Sequence, residues 1–151
     1  MKKQIVLILS VLGFAGVCAP RAFSGDLDAL AGKWTCQSTN EEGQRLTQQM
    51  EIKKDKFTFK VSSGDETRLY AEGDVKLDKA GPFKSISFTN IKAGQSSSDA
   101  NAIDDTYTSI YTMGDDGAWL VAMNFDKDRD SQKPRLDVYR KAKSEAKPEA
   151  K

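Results

Sequence analysis

The chain contains no histidine, and this absence narrows the chemistry open to it. Histidine is the usual general base of Ser-His and Cys-His enzymes and the commonest zinc ligand in proteins. The glycine-rich turns also lack the spacing of a phosphate-binding loop. We therefore predict that the protein is not an enzyme and holds no cofactor, although carboxylates, lysines, tyrosines and one cysteine remain open to catalysis.

Cysteine is also scarce, with Cys18 and Cys36 alone. Cys18 follows Val17, whereas lipoprotein signals place a small residue directly before the modified cysteine, so we predict no lipidation. If the segment around Cys18 is removed, Cys36 has no partner within the chain and the fold must rest on its hydrophobic core. No base or group of positive charges accompanies Cys36, which favours a buried, unreactive thiol over a redox-sensing one.

The first 24 residues have the organisation of a secretory signal peptide. Lys2 and Lys3 form a basic start, residues 5–17 are almost wholly apolar, and residues 22–24 resemble a small-x-small cleavage site. A retained membrane anchor is the weaker alternative, because the apolar run is shorter than the ~20 residues that a spanning helix needs. We predict an exported protein, periplasmic or extracellular.

Removal of this segment changes the charge of the protein. Loss of Lys2, Lys3 and Arg21 leaves 20 of the 23 basic residues beside 22 acidic ones, a net charge of −2 instead of +1. This balance does not favour nucleic acid as a partner. We expect a monomer that does not span the membrane after cleavage, with a small apolar ligand or another protein as its partner.

Apolar residues recur mainly at every second position, which predicts strands and almost no helix. Short turn segments separate eight such runs, at residues 33–39, 46–53, 57–61, 69–77, 83–90, 106–113, 119–123 and 135–140. Gly73 marks a place where the fourth strand could bend. Residues 92–102 are predicted to form a polar loop, residues 25–140 a single domain, and residues 141–151 a disordered charged tail.

Eight strands joined by short turns fit an all-β up-and-down antiparallel barrel or a sandwich, and we favour the barrel. The stretch before the first strand supports closure. Gly32 allows a sharp turn into the strand, and Trp34 would plug one end of the barrel beneath Leu27 and Leu30, which share one side of a short helical turn. Arg140, or alternatively Arg135, would lie across the indole face.

These residues resemble a known superfamily. Leu27, Leu30, Gly32 and Trp34 look like the opening motif of lipocalins and calycins, and residues 105–107 are similar to a later motif with two residues exchanged. The span from Leu27 to Arg140 resembles more closely a bacterial, planctomycete-type secreted lipocalin-like domain family of unknown function. The shared pieces are Leu-x-Gly-x-Trp, residues 57–59, residues 82–86 and residues 111–115. The resemblance implies a fold, not an activity.

Six aromatic residues on the strands could lie inside such a barrel: Phe57, Phe59, Phe88, Tyr107, Tyr111 and Trp119. They either fill the interior, which is only just wide enough for side chains in an eight-stranded barrel, or line a cavity for a small lipophilic ligand. Two functions follow. One is a secreted lipocalin-like binding module, and the other is a secreted or envelope interaction or structural domain, such as an inhibitor, with a solid barrel.

One carboxylate pattern deserves a test as a metal site. Asp126, Asp128, Asp130 and Asp137 follow the spacing of a calcium loop. Ser131 stands where the turn glycine of such a loop belongs, and the basic residues between the aspartates offset their charge. We predict a solvated loop of mixed charge and no metal.

Overall fold

The computed structural model describes residues 24–40, 42–125 and 134–142. These residues form one short helix and nine strands, which confirms the predicted all-β class. The elements are α1 (Ser24–Leu30), β1 (Gly32–Thr39), β2 (Arg45–Lys53), β3 (Lys56–Ser63), β4 (Glu66–Ala80), β5 (Phe83–Gly94), β6 (Asn101–Ala102), β7 (Tyr107–Met113), β8 (Trp119–Met123) and β9 (Arg135–Lys141).

Eight of the described strands form a closed antiparallel barrel. Strands β1 to β5 pair with their neighbours in chain order, β5 pairs with β7, and β7, β8 and β9 continue the sheet until β9 pairs with β1. Strand β6 is a two-residue addition on β5. The barrel prediction is confirmed, and the sandwich alternative is excluded because the sheet returns to its first strand.

The predicted polar loop at residues 92–102 is wrong at both of its ends. Strand β5 continues to Gly94, and Lys92 and Ala93 pair with Ala102 and Asn101 of β6. The residues in this stretch are small or polar, so they give no alternating apolar signal. The ladder forms through backbone hydrogen bonds, which do not require alternating apolar side chains.

Gly73, where the sequence indicated that the fourth strand could bend, lies at an irregularity in the pairing of β4 with β5. The register of β4 against β5 shifts between Glu72 and Asp74. A Cβ atom at position 73 would lie 2.6 Å from the carbonyl oxygen of Thr89 and 2.9 Å from Cε1 of Phe57. Only glycine allows β5 and the Phe57 ring to approach the backbone this closely.

The two ends of the barrel differ in what covers them. At one, named here the helix end, lie α1, the β2–β3 and β4–β5 turns and the last residues of β9. At the other, the far end, lie the β1–β2 and β3–β4 turns and the first residues of β7 and β9. The helix ends at Leu30, and Gly32 turns the chain into β1 with a φ of +114°.

Trp34 closes the helix end. Its side chain is 1% exposed, and its indole Nε1–H donates a hydrogen bond to the carbonyl oxygen of Leu30 at 2.8 Å. Leu30 is equally buried, and Leu27 packs against the same core while partly exposed. The predicted burial of Trp34 beneath the two leucines is confirmed, and the backbone of the helix supplies the partner for the indole.

Aromatic rings fill the interior near this end. The Trp34 and Trp119 ring centroids lie 5.6 Å apart in an edge-to-face arrangement, and the Tyr139 ring lies 5.2 Å from Trp119. On the opposite wall, the centroids of Phe57 and Phe88 are 4.8 Å apart, also edge to face. Such ring pairs stabilise a core beyond the area they bury.

Strand β9 shows the opposite faces from those predicted. Leu136 and Val138 point outward and are exposed, whereas Asp137 and Tyr139 point into the barrel. Alternation alone could not tell the two faces apart, because the outward face carries the aliphatic residues. The inward aspartate is tolerated because Arg135 pairs with it.

The predicted packing of Arg140 across the indole is therefore wrong. Arg140 points outward, and its Nη1 lies 2.9 Å from Oδ2 of Asp116. Lys141 takes the predicted role, since its Nζ lies 5.3 Å from the centroid of the Trp34 ring. The one-residue shift follows from the inverted faces of β9, because Lys141 shares the inward face of Tyr139 and Asp137.

Some sequence predictions lie wholly or partly outside the described residues. Residues 1–23 of the predicted signal peptide and residues 143–151 of the predicted tail are among them. Lys141 and Ala142, assigned to that tail, belong to the barrel: Lys141 ends β9, and the Ala142 N–H donates to the carbonyl of Lys33 at 2.9 Å. Within the described parts of the chain, no helix has the length and apolar character to cross a membrane.

Candidate functional site

Inward-facing side chains deep in the barrel are buried, whereas several at the far end are partly exposed. Ile52 and Ile86, toward the helix end, are both 0% exposed. Leu69 on β4 and Tyr107 on β7 face the same interior at the far end and are 39% and 40% exposed. Solvent therefore reaches the inside of the barrel from the far end.

Side chains from five strands surround this accessible end. Their direction follows from alternation and register: Val61 pairs with Leu69, and Leu46 pairs with Ser38, two residues beyond the buried Cys36. We name this set the apolar rim; its members are Leu46, Val61, Leu69, Tyr107 and Met123. The rim offers partly exposed apolar surface that faces inward.

Beneath the rim lies a layer of buried side chains that carry a thiol, amide, carboxylate or hydroxyl group, which we name the polar layer: Cys36, Gln48, Asp137 and Tyr139. They come from β1, β2 and β9 and separate the aromatic core from the rim on that side of the barrel. The sequence analysis missed Gln48, Asp137 and Tyr139 as interior residues. For Gln48 the available signal was its position in phase with Met50 and Ile52 on β2, whereas on β9 the signal was hidden because the strand has two plausible inward faces.

Hydrogen bonds connect one half of the polar layer. The Tyr139 hydroxyl donates to Oε1 of Gln48 at 2.8 Å, and Nε2 of Gln48 donates to Oγ of Ser38 at 3.2 Å. Burial raises the pKa of the Tyr139 phenol far above its usual value, and the Asp137 carboxylate adds to the effect. Tyr139 is therefore a neutral donor, and this chain of bonds fixes the Gln48 amide.

An ion pair forms the other half. Asp137 accepts from Nε of Arg135 at 2.9 Å through Oδ1 and from Nη2 at 3.2 Å through Oδ2. The Asp137 side chain is 5% exposed, whereas that of Arg135 is 51% exposed. Partial burial disfavours the Arg135 cation, but its hydrogen bonds to Asp137 leave the pKa of the guanidinium raised. A buried carboxylate thus holds a charged, solvent-accessible guanidinium at the far end.

Cys36 lies beside this pair as a free, buried thiol. Burial is the main cause that raises its pKa, and the negative charge of Asp137 acts in the same direction. The backbone N–H of Val138 and the charge of Arg135 oppose them without reversing the shift. The thiol stays protonated near neutral pH, and nucleophilic chemistry requires the thiolate.

The polar layer also lies where strands β1 and β9 stop pairing with each other. Strands β1 and β9 pair at Trp34 with Lys141 and at Thr35 with Arg140. From Cys36 to Thr39, β1 pairs with β2 and no longer with β9. From Arg135 to Tyr139, β9 pairs with β8. The side chains of the polar layer occupy the interior beside this separation of β1 and β9.

The six aromatic residues predicted for the interior do not line one shared space. Trp119, Phe57 and Phe88 are buried in ring contacts, and Tyr111 is buried in the same core. Phe59 packs against that core while partly exposed, and Tyr107 lies at the rim. Near the polar layer, the buried Nε1–H of Trp119 has no hydrogen-bond partner among the described residues.

The carboxylates considered for calcium are not brought together by the described structure. Asp126, Asp128 and Asp130 lie outside the described residues, and Asp137 is paired with Arg135 inside the barrel. Across residues 24–40, 42–125 and 134–142, no group of three or more cysteine, aspartate or glutamate side chains is arranged to hold a metal ion.

Comparison with known proteins adds no relative: no protein-family model, no curated protein and no solved structure matches the chain. The closed eight-stranded antiparallel barrel with its short N-terminal helix is compatible with a calycin-like fold. The closer resemblance to a lipocalin-like family of unknown function stays a prediction from the residues quoted above.

Proposed function

We propose that the protein is a secreted, lipocalin-like binding module that takes a small ligand with an apolar body at the far end of its barrel. The observation that carries this proposal is the apolar rim itself, whose inward-facing side chains are partly exposed above a completely buried core. Inward apolar surface that stays exposed gains free energy when a ligand covers it.

The ring contacts limit how deep such a ligand reaches. Trp34 and Trp119 occupy the interior near the helix end, and the polar layer, whose Tyr139 contacts Trp119, lies above them on one side. The ligand would contact the rim residues and rest on the polar layer. This depth suits a short apolar body better than a long chain threaded through the barrel.

A second candidate is an interaction or structural domain with a solid barrel, as the sequence also allowed. The edge-to-face contacts among the buried rings favour it, because they fill the half of the interior next to the helix end. Such a protein would act through its turns and outer surface, and it would show no affinity for small lipophilic molecules.

We also propose a monomer. One apolar patch of the outer surface covers three strands, at Ile110, Leu120, Ala122, Leu136 and Val138. With strands about 4.8 Å apart and about 3.3 Å per residue, this face measures roughly 15 by 16 Å, or about 240 Å². A stable interface needs about 800 Å² from each partner, so this face alone is too small for a dimer.

Export is part of the same proposal. It rests on the basic start, the apolar run at residues 5–17 and the cleavage-like residues 22–24. The N-terminus and intact mass of protein taken from the native host would test it. Cleavage after Ser24 is expected, and a chain that begins at Cys18 with an attached lipid, or an uncleaved chain, would contradict it.

Native mass spectrometry of the protein from its own host, joined to fluorescence titration with a lipophilic dye, tests the binding function. A co-purifying apolar molecule and a gain in dye fluorescence are expected. Val61→Lys places a charge in the rim and should abolish both signals. Ser62→Lys is the matched control, because the Ser62 side chain lies on the outer face of β3. It should change neither the co-purification nor the dye fluorescence. Absence of both signals in the wild type would favour the solid barrel.

A further inference from the structure

We propose that the ligand of the far end carries an oxyanion, a carboxylate or a phosphate, that binds the outer edge of the Arg135 guanidinium. This inference rests on the binding function proposed above and names the chemistry of that ligand. It starts from the one inward-facing cation that the described residues place at the far end.

The hydrogen bonds of Arg135 leave a defined edge unused. A guanidinium has five N–H donors in a rigid planar arrangement, and one edge can donate two parallel hydrogen bonds to the two oxygen atoms of an oxyanion. Asp137 occupies the edge formed by Nε and Nη2. The edge formed by Nη1 and the second hydrogen of Nη2 makes no hydrogen bond to any described residue, and half of the side chain is exposed.

Asp137 acts here as a positioning residue. Its carboxylate is buried on the inward face of β9, two residues from Arg135, and its two bonds fix the plane of the guanidinium. A fixed fork loses less side-chain entropy on binding a second planar anion than a freely rotating one would. The pair thus presents a pre-oriented donor edge to the solvent at the far end.

The negative charge of Asp137 weakens the site without cancelling it. At an effective dielectric constant of about 20, attraction between an oxyanion and the guanidinium at about 4 Å exceeds repulsion from a carboxylate at about 6 Å. The difference corresponds to roughly a tenfold gain in affinity over an uncharged head group.

The neighbours of Arg135 specify the rest of the ligand. Arg135 pairs in register with Met123 of the apolar rim, so a head group on the guanidinium would have apolar surface directly beside it. Leu46, Val61 and Leu69 extend that surface around the barrel. The arrangement favours an amphipathic molecule with an oxyanion at one end and a short hydrocarbon body.

Chain-matched probes test this on the purified mature protein. Decanoate, decyl phosphate, decanol and decylammonium would each displace a lipophilic dye near neutral pH and low salt. We expect decanoate or decyl phosphate to bind roughly tenfold more tightly than decanol, with decylammonium weakest. The preference should shrink as salt rises, and the order of the two anions would tell carboxylate from phosphate recognition.

Variants of β9 assign the preference to Arg135. Arg135→Met should bring decanoate down to the affinity of decanol, and Arg135→Lys should keep part of the preference because its ammonium has the charge without the fork. Since Arg135→Met leaves Asp137 buried and unpaired, the double variant with Asp137→Asn repeats the measurement in a folded background. Arg140→Met removes an outward arginine of the same strand and is the control.

The outcomes separate the two proposals. Equal affinity for decanoate and decanol would overturn the oxyanion inference and leave the binding function standing. A preference for the anions that survives Arg135→Met and the double variant would overturn the assignment to Arg135. Failure of all four probes to bind would overturn the binding function, and the oxyanion inference with it.

Discussion

The indole Nε1–H of Trp34 donates a hydrogen bond to the carbonyl of Leu30 at 2.8 Å, and both side chains are 1% exposed. The bond joins the last residue of α1 to the inside of β1. A carbonyl at the end of a helix has no partner within the helix, so the indole satisfies an acceptor as well as its own donor. The short helix thereby becomes part of the barrel core.

Replacement of Trp34 by alanine should destabilise the protein severely. The change removes a buried ring, its contact with Trp119 and the bond to Leu30, and large aromatic deletions in packed cores cost about 3–5 kcal/mol. Trp34→Phe keeps part of the ring and should cost less. Urea unfolding followed by circular dichroism would measure both, and a loss below about 1 kcal/mol for Trp34→Ala would show that the helix end does not depend on this ring.

Lys141 and Arg140 should contribute differently to stability although they are adjacent. Lys141→Ala removes the cation over the Trp34 ring and should lower the unfolding free energy by about 0.5–1 kcal/mol. Arg140→Ala breaks an exposed ion pair with Asp116 and should change it by less than about 0.5 kcal/mol. The comparison uses thermal and urea unfolding of both variants. A larger loss for Arg140→Ala would contradict the placement of Lys141.

The architecture could be predicted from the sequence where the apolar pattern was long and the turns were distinct. The hairpin of β2 and β3 has a clear period of two at Met50, Ile52, Phe57 and Phe59, and it forms as expected. Gly32 and Trp34 also fulfil their predicted roles, because a positive φ and a buried ring each have few alternative residues.

The candidate site was harder to predict for a physical reason. On β9, the inward face could be the one that carries Leu136 or the one that carries Tyr139. The local sequence pattern favours neither face over the other. Burial of Asp137 becomes acceptable only through its bond with Arg135, and burial of Gln48 only through Tyr139, 91 residues away along the chain. Gln48 and Tyr139 meet only after the barrel closes, so no short window of sequence contains both, and the nearby pair of Arg135 and Asp137 does not by itself show which face of β9 is buried.

The stability of the protein should fall at high pH through Tyr111. Burial raises the pKa of this phenol to about 12 from an ordinary value of 10.0, with a smaller contribution from the Asp26 carboxylate. The folded state thus keeps its proton while the unfolded chain loses it. The contribution is complete below pH 10 and is lost as pH rises toward 12, at up to about 1.4 kcal/mol for each pH unit.

Tyr111→Phe makes this contribution measurable. The free energy of unfolding, taken from urea curves between pH 7 and pH 11.5, should decline less steeply above pH 10 in the variant than in the wild type. Parallel curves for wild type and Tyr111→Phe would show that the phenol ionises alike in both states.

Coupling between Gln48 and Tyr139 should be visible in a double-mutant cycle. Tyr139→Phe removes the donor to Oε1 of Gln48 and leaves a buried amide oxygen without that partner, which should cost about 1–3 kcal/mol. Gln48→Leu removes the amide and also its bond to Ser38. The double variant replaces both polar groups with apolar ones of similar shape, so it should be less destabilised than the sum of the single changes, with a coupling energy of about 0.5–3 kcal/mol. Urea unfolding of the four proteins measures that energy. Additive losses would mean that the two side chains do not support each other and that the polar layer is not held together across the barrel.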